Sequence, residues 1–535
     1  MQNRPPARAR PQHRPPPRIR FSALVVALVV VTSAIWAVRT HGFGLFGSSG
    51  AADAVGSPAS GTPAHTASSH PSTGQPTPSG TATTPGPINT KYQGLTTFRG
   101  NATRDYYGQG PLPTHPVVRW RYPKTGGLCS TSTDLFSTRV WCGTGWTGQP
   151  NVIQHPNGLV EVREGAYDDH YHFLNGMTGK PMRPDLVTGD LAKGSATSDS
   201  DGYPLYYGGS RDNYLRVVAL DRPSPTVLWK FNSDSQPGKM WNDDWDGAPL
   251  QVGDYLLEGG ENCWFYVIRL NRSYDAAGKV QVNPQFVMRV PGWDAQLLHD
   301  LGGNDKDVSI ENSVAFDASR GVVYFGNSGG LVQGWDISDL LKGGTHYSRV
   351  FRFWDGDETD ASIVIDAKGD LIVARHRTEN VPTRPIARDQ QIGDLMKLDP
   401  SKPNDPVVWS VMLGGLEPEG GILGTPALYK GVVYSTWNEG GVAAVDEASG
   451  KVLWKMSLHG PTWSSPVPID DHLIVGDGAG TLNCFDISNP HVTPRLMWKV
   501  NLSKGIIEST PAVWRGWIYV GSRDGGIYGV SDPAS

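Results

Sequence analysis

From the middle of the chain to its end, short apolar runs alternate with breaks rich in Gly, Asp and Ser, and the order repeats. One copy reads Thr425-Pro426-Ala427, Val432-Val433-Tyr434, Gly441-Val442-Ala443-Ala444-Val445-Asp446 and Val452-Leu453-Trp454. The next reads Ser465-Pro466-Val467, Leu473-Ile474-Val475, Thr481-Leu482-Asn483-Cys484-Phe485-Asp486 and Leu496-Met497-Trp498. A third runs through Thr510-Pro511-Ala512-Val513, Trp517-Ile518-Tyr519-Val520 and Gly526-Ile527-Tyr528-Gly529-Val530. Four β-prone runs in a period of about 45 residues predict a four-stranded blade, and a series of blades predicts an all-β propeller. Each blade has two apolar faces that neighbouring blades must cover, so no blade is stable alone.

A Trp, or a Met in its place, closes the outer part of each copy: Trp120, Met182, Trp229, Met288, Trp354, Trp409, Trp454 and Trp498. Eight positions predict an eight-bladed β-propeller, with seven blades as the alternative. The last copy ends without its fourth strand. Pro116-Val117-Val118-Arg119-Trp120-Arg121-Tyr122 has the right pattern to supply it, which would close the ring and remove an open sheet edge. The indole of each closing Trp is expected to wedge between blades with its N–H on a backbone carbonyl.

The N-terminus follows other patterns. Residues 1–20 hold six Arg and no acid, and Phe21 to Val38 is uncharged and apolar. At about 1.5 Å rise such a helix spans roughly 27 Å, nearly a hydrocarbon core. Residues 21–38 therefore read as a single-pass signal-anchor helix in the cell membrane, with 1–20 as a cytoplasmic tail and the rest extracytoplasmic. The alternative is a cleaved signal peptide, with Ala34 and Ala37 at the cleavage site. Residues 47–90 are Ser, Thr, Pro, Gly and Ala almost throughout, a composition that predicts a disordered linker. The propeller then occupies 91–535.

Net charge is −5 over 535 residues, and no basic stripe interleaved with aromatics occurs, which argues against nucleic acid. Four cysteines are too few for a disulfide scaffold. Cys129 and Cys142 lie close enough in sequence for a local disulfide in an oxidising compartment, whereas Cys263 and Cys484 fall in distant blades and read as buried thiols.

The sequence Ala444-Val445-Asp446-Glu447-Ala448-Ser449-Gly450-Lys451-Val452-Leu453-Trp454 resembles the tryptophan-docking repeat of pyrroloquinoline quinone (PQQ) type propellers, with partial copies at Ala219-Leu220-Asp221 and Gly334-Trp335-Asp336. The opening Leu95-Thr96-Thr97-Phe98-Arg99-Gly100-Asn101 resembles the lead-in of such propellers in secreted bacterial proteins. The resemblance spans roughly Phe98 to Val530. It implies the propeller fold, and a family that mixes quinoprotein dehydrogenases with cofactor-free scaffolds such as the outer-membrane assembly lipoprotein. The alcohol dehydrogenases of that family cap the quinone with a disulfide between adjacent cysteines and hold Ca²⁺ through Glu and Asn beside a catalytic Asp. No Cys-Cys pair occurs here, and no quinone-binding set aligns residue by residue.

In a propeller the first strand of each blade meets the central funnel. The segments that open these strands place Asp246, Glu311 with Asn312, Asp360 and Glu508 there, with Lys193 as counter-charge. Converging carboxylates repel unless a cation or basic ligand lies among them. Asp355, Asp357 and Asp360 alternate in the way Ca²⁺ ligands do, though no EF-hand loop follows. Trp146, Trp241, Trp245 and Trp463 could add stacking surfaces at the mouth, with Trp241 and Trp245 equally suited to blade interfaces. His170 and His172 share a strand face, either as a metal pair or as polar groups of a surface strand. No Gly-x-Ser-x-Gly elbow, P-loop or dinucleotide fingerprint is present.

Two functional readings follow. In the first, a membrane-anchored extracytoplasmic propeller binds a protein or cell-wall polymer, without catalysis or cofactor. In the second, a PQQ- and Ca²⁺-dependent dehydrogenase oxidises alcohols or sugars. A polysaccharide-active enzyme with Asp246 and Glu311 as paired acids is a third possibility.

Overall fold

A computed structural model describes residues 91–135, 137–303, 305–378 and 386–533. The tail, apolar run and linker expected over 1–20, 21–38 and 47–90 lie outside the described residues. Among the described residues no helix is long and apolar enough to cross a membrane.

Eight antiparallel sheets follow one another along the chain and form an eight-bladed β-propeller. Blades 1 to 8 cover 151–187, 197–232, 250–291, 315–354, 364–411, 427–457, 467–501 and 512–531. Strand order within each blade runs from the axis outward. Apolar side chains of facing sheets interlock into clusters such as Ile474, Leu482, Val513, Ile518 and Val520 between blades 7 and 8. The strand Val117–Tyr122 pairs antiparallel with Gly526–Ser531 and completes blade 8. Beyond the blades stand a hairpin, Cys129–Thr133 with Thr138–Cys142, and the short helices Ala295–Asp300 and Ile386–Ile392.

The closing residues lie in the outermost strands or, for Met182, just before one. Trp120 donates its indole N–H to Gly176 O at 2.7 Å, Trp409 to Glu447 O at 2.8 Å and Trp454 to Pro490 O at 3.1 Å, each in the following blade. For Trp120 and Trp409 the docking needs glycine on the receiving turn. A Cβ on Gly179 would lie 2.6 Å from the Trp120 ring, and one on Gly450 2.6 Å from Trp409. Both glycines also have positive φ, 65° and 71°, which other residues resist.

The lead-in segment does what no pattern in it foretells. Gln93–Leu95 pairs with the inner strand of blade 1, and Gly108–Gln109 pairs with the inner strand of blade 8. Between them the chain crosses the axis as a plug. Ser198 N–H of blade 2 donates to Thr96 O, Phe316 of blade 4 to Ala102 O, and Ile365 of blade 5 to Thr103 O. Arg104 donates from Nε to Val314 O (2.9 Å), from Nη1 to Phe98 O (2.8 Å) and from Nη2 to Ala248 O (3.3 Å). Arg99 donates to Thr425 O at 2.6 Å and faces the Tyr107 ring at 4.9 Å. Both guanidiniums are fully buried, and burial pulls the pKa of Arg99 down to about 10 and that of Arg104 to about 9. Both values stay above neutral pH, so both groups remain charged, Arg104 among three backbone carbonyls and Arg99 on one.

Candidate functional site

The residues just before each inner strand surround one cavity on the axis, with Phe98 of the plug lining it. Asp246, Glu311, Asn312, Asp360, Glu508, Trp146 and Trp463 all line it. It widens into a mouth of about 800 Å³ to which Lys193, Arg211, Glu261, Glu358, His376, Glu419 and Arg523 also contribute. The funnel residues picked from sequence are thus brought to one place.

Most charges in the throat are already matched. The Lys193 ammonium lies 2.6 Å from Asp246 Oδ2, 2.9 Å from Glu261 Oε1 and 3.1 Å from Asp244 Oδ2. It also sits over the Trp146 ring, 4.6 Å from its centre. Burial would lower its pKa, but the three carboxylates raise it well above the ordinary lysine value. Arg211 bonds Asp244 at 2.9 Å, and Arg523 reaches both oxygens of Glu508 at 2.9 and 3.0 Å. His376 Nε2 lies 3.0 Å from Glu358 Oε2 and 2.8 Å from Asp360 Oδ2. Burial acts to lower the imidazole pKa, yet Glu358 and Asp360 raise it to about 9. Glu311 accepts from Ser309 Oγ at 2.9 Å. Burial, then the neighbouring Asp360, Glu261 and Asp246, pushes its pKa well above the carboxylate range.

Several expectations need correction. Asp355, Asp357 and Asp360 do not converge. Asp355 accepts from Thr359 Oγ1 at 2.6 Å, and Asp357 lies 3.7 Å from Arg377. The sets of donor atoms within 4.8 Å of one another, among the described residues, are instead Glu358, Asp360, His376 and Asp244, Asp246, Glu261. Trp245 is no mouth residue. It is buried between blades 2 and 3 with its N–H on Asn213 O. His172 is not on a polar surface: it is 2 % exposed, with Asp168 at 3.1 Å and Asp185 at 3.2 Å. The cysteines, by contrast, are as expected: Cys129 and Cys142 face each other across the hairpin and are bonded, while Cys263 and Cys484 are buried thiols. Leu135, Arg139 and Trp141 of that hairpin line the mouth.

Glu261, Glu358, His376, Arg211 and Arg523 were not singled out from sequence. A signal existed for the two arginines. Gly209-Ser210-Arg211-Asp212 and Gly521-Ser522-Arg523-Asp524 are the same tetrapeptide, each at the end of a second strand.

Comparison with known proteins agrees with this architecture. The family model described as outer membrane protein assembly factor BamB matches residues 396–493 and 438–533. No curated protein matches the chain. A europium-containing methanol dehydrogenase is similar over 82 % of this chain and 98 % of that one, at 12 % identity and a TM-score of 0.56. Quinohemoprotein alcohol dehydrogenase from Comamonas testosteroni is similar over 83 % and 81 %, at 13 % identity and a TM-score of 0.54. Repeats of this family's type are matched over residues 396–533, and the likeness of the chain to these dehydrogenases is one of fold.

The throat does not fit a quinone with its calcium. Asn312, the amide beside Glu311, is buried, donates from Nδ2 to Gly326 O (3.0 Å) and Thr359 O (2.7 Å), and accepts at Oδ1, the atom a calcium ion would need, from Gly326 N–H at 3.4 Å. PQQ carries three carboxylates, and Lys193, Arg211, Arg523 and His376 already pair with carboxylates of this chain. The disulfide staples the base of a hairpin and is not formed by adjacent cysteines.

Proposed function

We propose that this chain is a membrane-anchored, extracytoplasmic propeller that binds a positively charged segment of a protein or cell-envelope polymer in its mouth, without catalysis. The observation that carries this is the seat of Lys193. Three carboxylates and the Trp146 face hold an ammonium group there, which is the chemistry by which acid and aromatic side chains recognise cations. Around it the mouth also carries Glu311 and Glu419, the carboxylates of Asp360 and Glu508 with their partners His376 and Arg523, and further ring surfaces, Trp241 and Trp463. Phe98 of the plug lines the cavity. The BamB match over the last blades supports a protein-binding role, and the apolar run at 21–38 with its flanking arginines supports the anchor.

Oligolysine is the probe. It is expected to bind the full-length protein at low ionic strength and to weaken as salt is added, because counter-ions screen the acids. Asp360→Asn and Glu508→Gln should weaken it further. No binding at low salt, or equal binding of oligoglutamate, would remove the reading. The dehydrogenase alternative is favoured by the two fold neighbours alone. A visible-absorbance change with dye reduction, on titration with PQQ and Ca²⁺, would put it in place of the scaffold.

A further inference from the structure

We infer that Glu358, Asp360 and His376 form a binding site for a first-row divalent metal ion of the Mn²⁺-to-Zn²⁺ class, on the blade 5 side of the mouth. Glu358 and Asp360 come from the segment that opens the inner strand of blade 5, and His376 from the end of its second strand. The two segments are tied together by His376 N–H donating to Glu358 O at 2.9 Å. Their three donor atoms fall within 4.8 Å of one another.

Two features of the imidazole point to an ion between them. Nε2 bears at most one hydrogen, yet it faces two carboxylate oxygens at once, 3.0 and 2.8 Å away. Metal bonds of about 2.0–2.2 Å at right or tetrahedral angles set neighbouring donors roughly 3–3.5 Å apart, which is nearly the spacing found. Nδ1 is buried with no hydrogen-bond partner, so no second bond explains the aim of the ring. His376 is 7 % exposed and directs Nε2 alone into the cluster.

The donor set selects the ion. Two carboxylates and one imidazole suit Mn²⁺, Fe²⁺, Co²⁺ and Zn²⁺, whereas Ca²⁺ and Mg²⁺ favour sites made wholly of oxygen. This set also differs from the calcium set tested above, which needs an amide and no imidazole. Asp360 is oriented from behind by Ser328 Oγ, which donates to Oδ1 at 3.0 Å and leaves Oδ2 toward the histidine. All three residues border the open mouth, which provides an entry path and leaves coordination positions for water or a ligand oxygen.

The test uses the full-length protein, stripped with chelator and titrated with Co²⁺. One equivalent is expected to give visible absorption bands, displaced by Zn²⁺ and not by the same excess of Ca²⁺. His376→Ala should abolish the bands and weaken Co²⁺ binding more than about tenfold, since even second-shell losses are of that order. Asp360→Asn, which keeps the shape of the side chain, should weaken it as well, and Glu508→Gln, on another blade, should not. Circular dichroism checks the folding of each variant. A wild-type protein without bands at saturating Co²⁺ would overturn the site, as would Co²⁺ binding unchanged in His376→Ala. Oligolysine binding on the same samples separates this inference from the functional reading: if it persists while metal binding fails, only the metal site falls.

Discussion

His172 shows how far a single side chain can depart from the face its neighbours imply. Alternation with His170 predicts a shared, polar strand face, and the two rings do stack 5.9 Å apart. What alternation does not reveal is the pair of acids, Asp168 and Asp185, that closes on His172 at 3.1 and 3.2 Å, while the His170 ring lies 3.9 Å from the Asp168 carboxylate. Burial alone would depress the His172 pKa, but the carboxylates of Asp168 and Asp185, accepting from the imidazole, raise it to about 9. A folded-state value above the unfolded one of about 6.5 means the stabilisation is complete below pH 6.5 and is lost as pH rises through about 9. The shift corresponds to roughly 3 kcal/mol or slightly more. Melting temperatures of the wild type and His172→Gln should therefore differ most at pH 6–7 and converge near pH 10. A constant gap across that range would show that the histidine is not held in its charged form. Arg104 carries a larger structural role. In Arg104→Met the carbonyls of Phe98, Ala248 and Val314 lose their donor, and Glu258, buried with neither oxygen hydrogen-bonded, loses its nearest compensating cation. The expected loss is about 3–5 kcal/mol, read by chemical denaturation. A loss below about 1 kcal/mol would mean that water replaces the guanidinium.

At the scale of elements, the blades were legible and the additions to them were not. Trp454 after Gly450-Lys451 marks a fourth strand, and the glycine turn before it receives the indole of the preceding blade, Trp409, as Gly179 receives Trp120. The plug has no such local rule. Its residues bond to inner strands of most of the blades, partners up to 326 positions away, and nothing in Phe98-Arg99-Gly100-Asn101 records them. The hairpin between Cys129 and Cys142 is intermediate: its disulfide was readable from spacing, its place over the mouth was not. Leu135 and Val140 on it are 55 % and 66 % exposed, so few contacts beyond the staple fix its tip. A bond closing so short a loop adds local order, up to about 3 kcal/mol in the chain-entropy view. The double substitution Cys129→Ser, Cys142→Ser should thus leave the melting of the propeller almost unchanged and open the hairpin to limited proteolysis. Cleavage within 130–141, mapped by mass spectrometry, is the expected product. A melting point lowered by ten degrees or more would instead make the hairpin part of the cooperative ring.

For the whole molecule the decisive property is closure. The eight sheets make a ring only because the chain returns to its start twice, once at the axis and once at the rim. At the axis, Gly108–Gln109 runs parallel to Ala512–Trp514. At the rim, Val117–Tyr122 covers the edge of Gly526–Ser531, and Trp120 docks onto blade 1. The rim closure could be read in the sequence, since the last copy lacks a strand and one spare strand exists. The axial one could not. The throat was legible to the same degree: inner-strand openings announced Asp246, Glu311, Asp360 and Glu508, whereas their partners at second-strand ends came into view only with the sheets assembled. The two closures are separable by truncation. A chain beginning at Thr114 loses the plug and keeps the rim strand. It should remain a monomer with a lowered melting temperature and a funnel open at both ends. A chain beginning at Lys124 loses both, and the backbone donors and acceptors of Gly526–Ser531 then form an exposed edge that templates pairing with another chain. That protein is expected to elute as a dimer or larger species in size-exclusion chromatography with light scattering. Should it stay monomeric and melt with the Thr114 form, the rim strand would be an ornament and the plug alone would hold the ring.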